Sequence, residues 1–223
     1  MSEGHSPGAT FSRGVLAENP ITVQILGICS ALAVTRTVET ALAMSISVIA
    51  VLVGSSITIS LIRNEVPRSI RLIVQITLIA TFVIIVDQVL QAFFWELSRE
   101  LSVFVGLIIT NCLILGRAET FAMRNGVGAS VVDALGNGMG YGVVLLIVGG
   151  TRELLGTGRL LGVEVLPLVE NGGWFEPIGL MLTPPSAFFL IGGLVWASRS
   201  LALRAARQEA AIATSTSLVE DGA

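Results

Sequence analysis

The stretch from Ala41 to Ile62 runs for 22 residues without a charged side chain, and Pro177 to Ser198 is another of the same length. At 1.5 Å per helical residue, each covers the roughly 30 Å hydrocarbon core of a bilayer. Inside lipid the backbone has to satisfy its own hydrogen bonds, so runs of this kind fold as membrane-crossing helices. The remaining composition agrees. Of 223 residues, 53% are hydrophobic and 13% charged, and the mean hydropathy of +0.84 lies well outside the range of soluble domains.

Four further apolar stretches occupy residues 19–35, 72–95, 101–116 and 134–151. The expected fold is therefore an all-α integral membrane protein with six transmembrane helices. Residues 72–95 carry Asp87, and 134–151 are glycine-rich and entered from Asp133. The other two stretches are short, about 25 Å if wholly helical. Both are interrupted, by Pro20, Gln24 and Gly27 in the first and by Gly106, Thr110 and Asn111 in the second, and each contains one of the two cysteines, Cys29 and Cys112. Each is followed by an arginine-bearing turn (Arg36; Arg117) and then by two longer spans separated by a second basic turn (Arg63; Arg152). The order short, long, long thus occurs twice. Three crossings is an odd number, so a second copy enters the bilayer from the opposite side. The expectation is a 3+3 inverted repeat, residues 19–100 and 101–198, with its site near mid-membrane at the two interrupted segments.

Arginine placement sets the orientation. Arg13, Arg63, Arg68, Arg71, Arg117, Arg124, Arg199, Arg204 and Arg207 fall on one side, and Arg36, Arg99, Arg152 and Arg159 on the other. The positive-inside rule puts the nine, and both termini, in the cytoplasm. Residues 1–18 form a cytoplasmic tail without the apolar region of a secretory signal. Residues 199–223 read as a second tail, a short basic helix leaving the membrane and then a disordered Ala/Ser/Thr-rich end. Residues 152–176 carry too much charge and glycine to span and are expected to cap the outer face as a short interfacial helix and turn.

Several chemistries are excluded outright. All thirteen basic residues are arginines, so there is no lysine for a Schiff base or a P-loop, and no basic stripe for nucleic acid. The single histidine, His5, lies in the tail, which excludes a Ser/His/Asp triad, bis-histidine haem and a histidine-based zinc site. The run GNGMGYG (136–142) follows no strand and reads as close helix packing. PGAT (7–10) resembles a flavin-attachment threonine context but has nothing around it to hold a ring.

The two cysteines are then the principal candidates. A free cysteine in an apolar helix commonly packs as a small hydrophobe, and a disulfide is a second alternative. Two cysteines at matching places in two broken segments make a shared site a third reading beside these. An iron–sulfur centre of the [2Fe–2S] type needs four protein ligands. This chain offers two and no histidine, so a homologous membrane subunit with two equivalent cysteines would complete the set. Thr110 and Asn111 are candidate hydrogen-bond donors around it, the alternative being helix-to-helix bonding. Asp87, sixteen residues into its span, is a candidate for holding a cation or proton, because burying a charge there costs several kcal/mol. Asp133 is a similar candidate, with a salt bridge or helix cap as the alternative.

Long segments carry a resemblance: NPITVQILGICSALAV (19–34), SLIRNEVPRSIRLIVQ (60–75), LSVFVGLIITNCLILGRAETFAM (101–123), DALGNGMGYG (133–142), RELLGTGRLLGVEVLPL (152–168) and NGGWFEPIGLMLTPPSAFFLIG (171–192). Over residues 19–198 the chain resembles the D-subunit family of the sodium-translocating NADH:quinone reductases. The sister family, the E subunits of the Rnf electron-transport complex, shares the TNC and GRAE blocks, whereas IRNEVPRSIR and NGGWFEP favour the quinone reductases. The resemblance implies a translocase subunit of the bacterial inner membrane, not catalytic alone, in a six-subunit complex. It implies pairing with a homologous E subunit, with Cys29 and Cys112 holding half of an iron centre, [2Fe–2S] or another, halfway across the membrane. It further implies electron flow from NADH through flavins and iron centres to quinone, with export of Na⁺. The NADH, flavin and quinone sites would lie on other subunits. Asp87 and Asp133 match acidic positions of that family, and for them a Na⁺ role is an expectation. The alternatives are an Rnf-type subunit and a redox-inert transporter or scaffold.

Overall fold

The computed structural model describes residues 19–93, 105–161, 163–164 and 179–220. The expectations for the amino-terminal tail, for residues 94–104 and for most of the outer cap lie outside these residues. Among the described residues three helices are long and apolar enough to cross a membrane: Val38–Ile62, Arg71–Ala92 within a helix ending at Phe93, and Val127–Thr157.

In chain order, α1 is the short helix Ile28–Val34, α2 is Val38–Ile62 and α3 is Arg71–Phe93. A broken segment follows, α4 (Val105–Ile109) and α5 (Cys112–Arg117), the latter running into a π-helical turn at Ala118–Ala122. Next come α6 (Val127–Thr157), a two-residue antiparallel pairing of β1 (Arg159–Leu160) with β2 (Val163–Glu164), a 3₁₀ turn at Gly179–Leu182 and α7 (Pro184–Glu220).

The centre of the fold is the packing of α2 against α6. On α6, Gly138, Gly142 and Gly149 face Ile49, Ser45 and Ala41 of α2 in reverse order, so the helices run antiparallel. A Cβ at Gly138 would lie 2.8 Å from the Ile49 side chain, so the backbones approach as only small residues permit. The glycine run therefore packs helices, as expected. Thr37 starts α2 by accepting from the Thr40 N–H. The Ser45 and Ser47 hydroxyls donate one turn back to the Ala41 and Ala43 carbonyls, which satisfies them within an apolar span. Met44, Val48, Leu52, Leu113, Ile114, Tyr141, Leu145 and Val148 fill the core. By contrast, α3 is little buried and presents Ile73, Ile84, Ile85 and Val89 outward, as a lipid-facing or partner-facing helix would.

Four boundaries differ from the sequence expectations. α6 starts seven residues before Ala134 and ends six after Thr151. Asp133, Arg152 and Glu153 are inside it and buried, each with protein partners, so their charges do not end the helix. The outer cap thus begins only after Gly158, whose φ of 69° closes α6. In the last apolar stretch the α-helix begins at Pro184, after the 3₁₀ turn at Gly179–Leu182, because two consecutive prolines suit a first helical turn. Beyond Ser198, the end expected to be disordered continues as helix to Glu220. Residues 199–220 contain no glycine or proline and are rich in Ala, Leu and Arg, all strong helix formers.

Candidate functional site

Both short apolar stretches are broken, and the breaks meet. In the first, residues 19–27 are not helical. The Asn19 carboxamide oxygen accepts the Ile21 and Thr22 N–H groups, and its nitrogen donates to the Gly140 carbonyl on α6 at 3.0 Å. The backbone then passes through positive φ at Ile25 (58°) and Gly27 (79°) before α1 begins. Gly27 is required twice over. Its left-handed conformation suits glycine, and a Cβ would sit 2.8 Å from Cε2 of Tyr141. Cys29 is the second residue of α1 and is exposed on this chain.

In the second break, the Asn111 side-chain oxygen caps α5 by accepting from the Leu113 N–H at 3.0 Å. Cys112 is the first residue of α5, half-buried. Both cysteines are free thiols in the first turn of a short helix, where backbone N–H groups lack intrahelical partners. One such group reaches across: the Gly27 N–H donates to Cys112 Sγ at 2.9 Å.

A polar knot lies beneath the sulfurs. Ser30 Oγ receives the Asn111 amide at 3.2 Å, stands 2.7 Å from the Tyr141 hydroxyl, and donates to the Gly27 carbonyl at 2.9 Å. A hydroxyl has one proton and two lone pairs. With its proton on Gly27, Ser30 accepts from both Asn111 and Tyr141, so Tyr141 is the donor. Tyr141, Ser30 and Asn111 are at most 3% exposed. The knot joins α1, α5 and the middle of α6, and it brings the residues next to each cysteine together.

The other candidates are placed differently. Thr110 is exposed, and its hydroxyl donates back to Gly106 at 2.9 Å. Asp133 is buried and ion-paired with Arg117, whose Nε donates to Oδ2 at 2.9 Å and whose second guanidinium nitrogen contacts Oδ1. Asn137 donates to the same carboxylate at 3.1 Å. The salt-bridge alternative for Asp133 is thus realised, while its alternative as a helix cap is not, since α6 starts at Val127 with Gly126 as its cap. Asp87 is half-buried on α3 and accepts from Gln91 at 2.7 Å.

Sequence reasoning did not single out Ser30, Tyr141 or the role of Arg152. Tyr141 is the only tyrosine of the chain and stands in an apolar helix, where a phenol needs a partner. That was the available signal. Arg152, read as part of a basic turn, is 0% exposed. It donates to Thr35 Oγ at 2.8 Å and to the carbonyls of Leu32, Met181, Leu182 and Thr183. It thereby ties the carboxyl end of α1 to the turn before α7. Glu153 beside it accepts the Val38 and Leu161 N–H groups. Near the start of α3, Glu119 accepts from Arg71 at 3.0 Å and Gln75 at 2.7 Å. Burial works against its ionisation, but those hydrogen bonds and the charges of Arg71 and Arg124 outweigh it and hold the carboxyl below its ordinary value.

Among the described residues no three of His, Cys, Asp and Glu gather as a metal-binding group. What the arrangement offers is half a site: two free thiols at adjoining helix breaks, one already accepting an N–H bond, the other open at the surface of the chain. Two thiols are half of the four protein ligands that a [2Fe–2S] cluster needs.

A membrane protein built around two adjoining helix breaks with a thiol at each is the class the geometry defines. The profile of the Rnf-Nqr subunit family of membrane proteins matches residues 8–195, and the chain belongs to that family. It is 58% identical over 186 residues to the D subunit of the Na(+)-translocating NADH-quinone reductase of Shewanella frigidimarina, covering 83% of this chain and 89% of that protein.

Proposed function

We propose that this chain is the D subunit of a Na⁺-translocating NADH:quinone reductase, a non-catalytic part of that translocase. Cys29 and Cys112 supply two thiolate ligands to an intramembrane iron centre, [2Fe–2S] or a related one, and a homologous E subunit supplies the other two. The observation that carries this reading is the clasp between the two breaks, Gly27 N–H to Cys112 Sγ at 2.9 Å, which holds both cysteine segments together. The exposure of Cys29 also favours it over simple packing, since a packing cysteine would be buried within its own chain.

When bound, such a centre supplies one-electron transfer across the low-dielectric middle of the membrane. The chain's own residues bind and shape it. The thiolates ligate, the Gly27 N–H stabilises negative charge on the Cys112 sulfur, and Asn111 holds the start of α5 in place. NADH, flavins and quinone are bound by the other subunits of the six-subunit complex. The six spans form a 3+3 inverted repeat in the bacterial inner membrane with both termini cytoplasmic. Burial of Arg152 strengthens that orientation, because it removes one loop charge from the side that has four.

Asp87 and Asp133 are proposed for the Na⁺ path. For Asp133 a cation has to displace the Arg117 guanidinium, so its occupancy is coupled to the end of the helix that Cys112 begins. An Rnf-type subunit is the second reading, since the family profile spans both complexes. The 58% identity to a quinone reductase subunit favours the first. Iron analysis and electron paramagnetic resonance of the purified complex test the ligand assignment. Cys29→Ala and Cys112→Ala should each remove one reduced-cluster signal and its iron while the subunits stay assembled. Unchanged iron in both would reject it.

A further inference from the structure

We infer that Tyr141 is a positioning residue for the iron centre and sets its reduction potential through Gly27. The inference rests on the reading of Cys112 as an iron ligand. The potential of an iron–sulfur centre rises as hydrogen bonds to its sulfurs favour the more negative, reduced form. Among the described residues, the N–H of Gly27 makes such a bond to Cys112. Gly27 itself has no side chain to fix it, and its backbone sits at a φ of 79°.

Tyr141 restrains that residue in two ways. Its ring occupies the space where a Gly27 Cβ would be, with Cε2 at 2.8 Å from that position. Its hydroxyl donates to Ser30 Oγ at 2.7 Å, which directs the Ser30 proton onto the Gly27 carbonyl at 2.9 Å. The phenol thus holds the carbonyl side of Gly27 while the ring holds its α-carbon, and the N–H is left aimed at sulfur. The same serine takes the Asn111 amide, so the restraint extends to the residue that begins the Cys112 helix. All three polar groups are buried, and water does not compete for them.

Tyr141→Phe keeps the ring and removes the donor. In the assembled complex it should retain iron, while the reduced fraction of this centre at a fixed potential near its midpoint falls. Weakening one hydrogen bond to sulfur should change the oxidised-to-reduced ratio by up to about tenfold, about 59 mV for a one-electron couple, with an altered resonance line shape. Ser30→Ala removes the relay without touching the ring and should shift the midpoint in the same direction. A redox titration followed by electron paramagnetic resonance reads both variants, with iron content measured in parallel. Unchanged midpoint and line shape in both would overturn the role of Tyr141. Cys112→Ala, carried alongside, separates the two ideas. If it loses iron while Tyr141→Phe and Ser30→Ala change nothing, the ligand assignment stands and the tuning fails; if it keeps its iron, the ligand assignment fails.

Discussion

Gly27→Ala is the sharpest test of how the first break is built. Two penalties act together. An alanine at φ 79° costs about 1–2 kcal/mol, because its Cβ crowds the carbonyl in the left-handed region. The new methyl also lies 2.8 Å from Tyr141 Cε2. That ring is fully buried and tied through its hydroxyl, so it cannot swing away without breaking the knot. Overpacking of this kind costs about 1–3 kcal/mol. The sum, roughly 2–5 kcal/mol, falls on the segment that donates to Cys112. Gly106→Ala is the matched control: it lies in the other short stretch, in α4, with nothing within 4 Å of its Cβ position, and alanine is the better helix former by about 1 kcal/mol. The assay is retention of this chain and of iron in the detergent-solubilised complex during a thermal ramp. Gly27→Ala should lose both at clearly lower temperature, and Gly106→Ala should match or exceed the parent. Indistinguishable variants would refute the claim that the break depends on glycine at 27.

The remaining predictions concern charge. Arg152→Met removes the donor to the Thr35 hydroxyl and to four carbonyls, a loss of about 1–3 kcal/mol for buried acceptors left short of a partner, seen as depletion of this chain from membranes. Asp87→Asn and Asp133→Asn should each weaken the Na⁺ dependence of turnover; a sodium titration that matches the parent removes that residue from the path. The Glu119 carboxylate, lowered below its ordinary value of 4.5, contributes stability that is complete above that pH and disappears as pH falls through the lowered value. The pair with Arg71 is half-exposed, so the effect is modest. Glu119→Gln should flatten the acid limb when retention of this chain in the complex is followed against pH.

How far the sequence could be read depended on whether a feature was carried by composition or by contact. The uncharged run at Ala41–Ile62 and the glycines facing α2 were legible because length and small-residue spacing follow from the bilayer itself. The two breaks were legible too, since Gly27 and Asn111 are poor residues for a continuous apolar helix. The far ends were not. Asp133 looked like a boundary because a charge in an apolar run signals one, yet Arg117, sixteen residues away, neutralises it inside α6. Arg152 looked like a loop charge for the same reason, although the carbonyls that hold it belong to segments some thirty and more than a hundred residues distant. Ser30 and Tyr141 are ordinary residue types, and the bond between them, 111 positions apart, exists only in three dimensions. The carboxyl-terminal helix was hidden by an Ala/Ser/Thr composition that is shared by disordered tails.

Iron K-edge X-ray absorption of the purified complex, comparing the parent with Cys29→Ser and Cys112→Ser, tests the ligand assignment most directly. If these side chains bind the metal, each serine variant that keeps its iron should exchange sulfur scattering for a shorter oxygen shell, and one that cannot hold iron should lack it. Spectra and iron content identical to the parent in both variants would contradict the assignment.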